Sequence, residues 1–121
     1  MDEAKWGLDW IHKLHPSREE LIHQVADDRD HLGFKMPHED AANYGWGKNK
    51  YRPAYFANGK PQGLGKYKSE STGVSNVAGR SAATLALGYQ VFKDIPGHLP
   101  FAAQCLQDAI ELFEMGKKRE G

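Results

Sequence analysis

The segment from Ser75 to Lys93 constrains this chain more than any other. Val77, Leu85, Leu87, Val91 and Phe92 recur at helical spacing, with Ala78, Gly79, Ser81, Ala82, Ala83, Ala86 and Gly88 between them. Small or apolar residues on most faces let neighbouring helices approach from every side, so this helix belongs inside an assembly of helices, not on a surface. Ser75 supplies an N-cap, and Asp94-Ile95-Pro96-Gly97 ends the helix. Three helices offer too little apolar surface to bury it all round and also support a long irregular segment. The chain therefore reads as a piece of something larger.

Two further helices follow from spacing. Over residues 3–15, Trp6, Trp10 and Leu14 recur every four residues, and Leu8 and Ile11 widen the stripe. Pro16 stops this helix by pushing His15 out of the α region. Over residues 99–118, Phe101, Cys105, Leu106, Ala109, Ile110, Leu112 and Phe113 form the apolar stripe; Pro100 suits its first turn and Lys117 its last. Residues 17–24 admit either a helical turn with a Ser17–Glu20 capping box or a short extended segment through Leu21–Val25.

From Gly33 to Gly73 no period survives. These 41 residues hold seven glycines, three prolines and seven aromatics: Phe34, Tyr44, Trp46, Tyr51, Tyr55, Phe56 and Tyr67. A flexible linker would have the glycines without the rings. Rings are costly to leave in water, so this region packs on something or binds something. Just before it, Gln24 to Phe34 gathers aspartates at 27, 28 and 30 with Arg29, His31 and Phe34. Displayed from a helix-braced loop, these side chains suit a polar, ring-bearing ligand such as a sugar. The alternative is an acidic turn bonding its own backbone.

Composition excludes some classes. Within 121 residues, sixteen basic and sixteen acidic side chains cancel, so no net field points to nucleic acid or an anionic membrane. No apolar run approaches the roughly 18 residues of a membrane span. Met1 to Trp6 reads as a helix start rather than a signal peptide. Cys105 is the lone cysteine and reads as a small core residue. His12 and His15 share a face and can hold a metal, but the sequence indicates no third ligand, so no metal is assigned.

The order of these segments resembles family 9 glycoside hydrolases, the cellulase-like inverting β-glycosidases. Trp6-Gly7-Leu8-Asp9-Trp10-Ile11-His12-Lys13-Leu14-His15 resembles the helix after that family's catalytic aspartate motif. Gln24-Val25-Ala26-Asp27-Asp28-Arg29-Asp30-His31 resembles its Gln-Val-Gly-Asp-Gly…Asp-His segment, and Arg52-Pro53-Ala54-Tyr55 its Arg-Pro-Ser-Tyr step. Ser75-Asn76-Val77-Ala78-Gly79-Arg80-Ser81-Ala82-Ala83 resembles its Ser-Asp-Leu-Ala-Gly-Glu-Thr-Ala-Ala helix, with Arg80 where many members have Glu.

The resemblance implies an all-α fold: a fragment of an (α/α)6 barrel, with about three long helices and a ligand-side loop over 24–73. It implies an internal segment of a catalytic domain that hydrolyses β-1,4-linked glucans or oligosaccharides with inversion. One carboxylic acid protonates the leaving oxygen while a carboxylate roughly 6.5–9.5 Å away activates water. The base motif lies upstream of the matched segments and the acid motif downstream, so no catalytic residue is assigned and the isolated chain is expected to be inactive. The expected sugar contacts are His31 and Phe34, with Arg29, Asp30, Trp46 and Tyr55 as further candidates and Tyr67 as another ring; a structural histidine, an intramolecular Arg29–Asp30 pair and loop-anchoring rings are the alternatives. The expected partners are a β-glucan or oligosaccharide and the remainder of the catalytic domain, without nucleic acid or membrane. No cofactor is expected; some relatives bind calcium, which no residues here assign. The full-length protein is expected to be secreted or periplasmic. The alternative function is a non-catalytic carbohydrate-binding or purely structural helical module.

Overall fold

The computed structural model describes residues 1–30, 33–62 and 73–119. Three helices dominate: α1 (Asp2–Leu14), α2 (Val74–Phe92) and α3 (Leu99–Lys117). Between α1 and α2 lie β1 (Ile22–Val25), β2 (Ala54–Phe56) and single 3-10 turns at Asp28–Asp30 and Pro37–Glu39. The fold is thus mostly helical with a two-stranded antiparallel sheet, which the all-α expectation lacks.

α2 and α3 pack against each other along their length. The buried positions of α2 are Val74, Ala78, Ala82, Leu85, Gly88 and Phe92, spaced three or four apart on one face. α3 answers with Ala102, Cys105, Ala109, Leu112 and Met115. Small residues set the approach: Gly116 stands where a Cβ would meet Ala78 Cβ at 3.4 Å, and Gly88 where it would meet Leu8 Cδ1 at 2.8 Å. The opposite face of α2 is open, with Leu87 66% exposed and Val91 half exposed, so in this chain α2 is buried on one side rather than all round.

α1 lies across this pair, and its inner face is Leu8, Ile11, Leu14 and the two histidines. The four-residue tryptophan spacing does not mark the core side: Trp6 is 72% exposed and Trp10 nearly half exposed. Periodicity locates an apolar stripe but not which neighbours are present to cover it. α1 stops at Leu14, and His15 takes φ −115°, ψ 72° ahead of Pro16.

Residues 17–25 take the extended alternative after a non-helical turn, without the capping box. Ser17 and Glu20 close a turn, with Ser17 Oγ donating to Glu20 Oε2 at 2.7 Å and Glu20 N to Ser17 O at 3.0 Å. The chain then extends as β1. It pairs with β2 in the register Ile22↔Phe56, Gln24↔Tyr55 and Val25↔Ala54, with an irregularity between Ile22 and Gln24. Ala26 N to Pro53 O (2.8 Å) and Ala57 N to Leu21 O (2.6 Å) continue the pairing at both ends.

The aperiodic segment 33–62 is held by side chains bonding nearby backbone. Asp40 Oδ1 accepts from Ala42 N, and Asn43 Oδ1 from both Gly45 N and Gly47 N. Asn58 accepts from Lys60 N around Gly59, the turn expected at Asn58-Gly59.

At the exit of β1, Ala26 occupies φ +68°, a left-handed conformation that costs a residue with a Cβ roughly 1–2 kcal/mol. A glycine at this position would remove that cost but lose more conformational entropy on folding. Ala26→Gly is therefore expected to raise stability by about 0.5–1 kcal/mol, read as a thermal midpoint a few degrees higher.

Candidate functional site

The β1–β2 pairing brings the acidic stretch against the aromatic segment. Asp27, 7% exposed, is the hub. Its Oδ1 accepts from Arg29 Nε at 2.8 Å and from Arg29 N at 3.0 Å. Its Oδ2 accepts from Arg29 Nη2 and from the Tyr55 hydroxyl, both at 2.6 Å. The Arg29 hydrogen bonds hold the Asp27 carboxyl well below the usual carboxylate range against the opposing effect of burial, and the Tyr55 bond lowers it further. In return, the Tyr55 hydroxyl is pushed up, first by its bond to Asp27 and then by burial.

A second layer builds on the first. The Arg29 guanidinium lies 4.2 Å from the Tyr44 ring centroid and that of Arg52 5.3 Å from it, so one ring faces two cations. Arg52 Nε bonds Asp30 Oδ1 at 2.8 Å, and its Nη2 bonds Asp40. The buried Tyr44 hydroxyl and Asp30 Oδ2 make no hydrogen bond among the described residues. Burial, and next the adjacent Asp30 carboxylate, push the Tyr44 hydroxyl up. Asp40 is held low, first by the Ala42 N–H and then, against burial, by Arg52.

This network borders a polar cleft of about 290 Å³ lined by Asp30, Gly33, Lys35, Met36, Asp40 and Arg52. The charged groups of the lining, Asp30, Asp40 and Arg52, are already fixed by one another and can accept from and donate to a hydroxylated ligand with little reorganisation. Phe34, next to Gly33 in the lining, is fully exposed. Trp46 is half exposed and meets Tyr51 edge-on at 6.5 Å.

The sequence-derived candidates thus separate. Asp30 lines the cleft and Phe34 lies next to it in the chain. Arg29 pairs with Asp27 rather than with Asp30, a correction to the expected intramolecular pair: the side chain of Arg29 turns back across the 3-10 turn, and Asp30 is taken by Arg52 from beyond the loop. Tyr55 is buried at 5% exposure as a brace for Asp27. His31 and Tyr67 lie outside the described residues. Asp40, Tyr44 and Arg52 are not singled out by the sequence as ligand-side residues, because their pairing spans the loop and leaves no local signal.

The comparisons with known proteins follow this geometry. The family profile described as Glycosyl hydrolase family 9 matches residues 1–121. Endoglucanase 1 of Oryza sativa subsp. japonica is 32% identical over 123 residues, covering 100% of this chain and 16% of the relative. Endoglucanase 2 of the same plant is 31% identical over 123 residues, again covering 100% of this chain and 16% of the relative. Endoglucanase 19 of Arabidopsis thaliana is 30% identical over 122 residues, with 100% and 16% covered. This chain therefore spans only about a sixth of the length of these curated relatives. No solved structure gives a significant match. Among the described residues, no helix is long and apolar enough to cross a membrane. With the family match running from the first residue to the last, the chain belongs to glycosyl hydrolase family 9.

Proposed function

We propose that this chain is an arc of the catalytic domain of a secreted or periplasmic β-glucan hydrolase. It contributes wall to the sugar cleft, while the proton donor and the water-activating base come from elsewhere in the domain. The observation that carries this reading is the end-to-end family match over a sixth of the relatives' length. The outer surfaces support it. Leu87 and Val91 on α2, Leu106, Ile110 and Phe113 on α3, and Trp6 and Trp10 on α1 are exposed apolar groups of a kind that neighbouring helices of an (α/α)6 barrel would cover. The substrate proposed is a β-1,4-linked glucan or its oligosaccharides, cleaved with inversion. Its rings would stack on Phe34 and its hydroxyls would meet Asp30, with Arg29 positioning the network, Tyr55 bracing it, and His31 and Trp46 as further contacts.

Two measurements on the purified protein test this. On cello-oligosaccharides it is expected to release no reducing ends, and robust turnover would refute the placement of the acid and base outside it. In a calorimetric titration with cellohexaose, Phe34→Ala is expected to weaken binding about tenfold, or ~1.4 kcal/mol. Equal binding by the variant would remove Phe34 from the cleft.

A further inference from the structure

A second cluster of polar side chains lies away from the cleft, between α1 and α3. One nitrogen of His15 and one carboxylate oxygen from each of Asp108 and Glu111 lie within 4.8 Å of one another. His15 and Asp108 are buried, and the Glu111 side chain is 19% exposed. His15 Nδ1 is 2.8 Å from Glu20 O, an atom that only accepts, so Nδ1 carries the proton. In the neutral ring, Nε2 is then a lone pair, aimed at Glu111 Oε2 at 3.3 Å. Two acceptors face each other beside a third, and a cation between them resolves the conflict.

The 3.3 Å between His15 Nε2 and Glu111 Oε2 is the spacing a metal sets between two ligands, and the Asp108 oxygen, within 4.8 Å of both, closes in on binding. Around a tetrahedral ion with bonds of about 2.0–2.1 Å, adjacent ligand atoms stand about 3.3–3.4 Å apart. Each donor is also oriented from behind, as metal ligands are. Glu20 O holds the His15 ring, and Gln107 Nε2 donates to Glu111 Oε1 at 3.1 Å. Asp108 Oδ1 accepts from Gln104 Nε2 at 2.6 Å, and its Oδ2 lies 2.6 Å from His12 Nδ1. An imidazole with two carboxylates suits an ion of the zinc class and not calcium, which takes six to eight oxygens.

We propose that His15, Asp108 and Glu111 bind one divalent ion of the zinc class, with water completing its coordination, and so staple α1 to α3. The nearby pair of Cys105 Sγ and His12 Nε2, 3.5 Å apart, is the competing soft-ligand position. Burial, and next the charge of Asp108, push the Cys105 thiol up to about 11, so an ion at that position would first have to displace the thiol proton.

The test is a calorimetric Zn²⁺ titration of the purified protein, with Co²⁺ as the spectroscopic probe. The expected results are one ion per chain and tetrahedral Co²⁺ absorption without a thiolate charge-transfer band. Glu111→Gln and Asp108→Asn should each abolish binding with the far-UV dichroism unchanged. The exposed Gln104→Ala, which disturbs only the support of Asp108, should weaken it 10–100-fold, and Cys105→Ser should leave it intact. No Zn²⁺ binding, Zn²⁺ binding that survives Glu111→Gln, or a thiolate band on Co²⁺ would each overturn the assignment.

Discussion

Phe92→Ala is expected to lower the unfolding free energy by about 3–5 kcal/mol, the range for truncating a buried aromatic. Phe92 is 1% exposed at the C-terminal end of α2, where the chain turns into α3. Its ring meets the edge of Phe101 at 5.1 Å and stacks on His98 at 5.4 Å, joining the two helices and the turn between them. Alanine would leave a void that the backbone cannot close, because α2 and α3 are already at close approach through their small residues. The measurement is a urea denaturation curve. With a slope of about 1–3 kcal/mol/M, the midpoint should fall by more than about 1 M. Leu87→Ala, on the open face of the same helix, should stay within about 0.5 kcal/mol. Similar losses from both variants would mean that the buried face of α2 has been misidentified.

That contrast between Phe92 and Leu87 marks what the sequence can express. A 3.6-residue period sustained through α2 and α3 locates two helices, because nineteen residues sample the face five times. It does not say which sides have neighbours, and so the tryptophans of α1 suggest a core stripe while Leu8, Ile11 and the histidines form it. β2 is illegible for a different reason. Three residues show no period, and Tyr55 and Phe56 become a strand only because Ile22–Val25 lies alongside. The same pairing makes the polar network. Tyr55 reaches Asp27 across 28 positions, and Arg52 reaches Asp40 across twelve. Neither separation corresponds to a local motif, so the residues of the cleft are visible as types while their partners are not. The metal-ligand set is the extreme case: His15 and Glu111 are 96 positions apart and meet only because α1 crosses α3.

The hub of that network gives the other large effect. Asp27→Asn should cost about 3 kcal/mol, the low end of the range for breaking a buried charge pair, because the Arg29 side chain keeps 25% of its exposure. The amide preserves the shape but not the chemistry. One oxygen can still accept, while the new N–H₂ confronts donors from Arg29 or the Tyr55 hydroxyl. The loss should carry a pH signature. The folded Asp27 carboxyl titrates below its unfolded value of about 3.9, so the unfolded chain binds the proton first as acid is added. Its contribution is complete above about pH 5, shrinks progressively below about pH 4, and is lost as pH falls through the folded value. The wild-type melting temperature should therefore drop between about pH 5 and pH 3 more steeply than that of Asp27→Asn. Asp40, also held low, keeps some of the slope in both proteins. Parallel acid profiles would show that Asp27 is not the charged hub. The variant should also bind cellohexaose more weakly at neutral pH and at temperatures where it remains folded. Asp27 holds Arg29 on one side of the Tyr44 ring, and that ring backs the Arg52 which fixes Asp30 and Asp40 at the cleft.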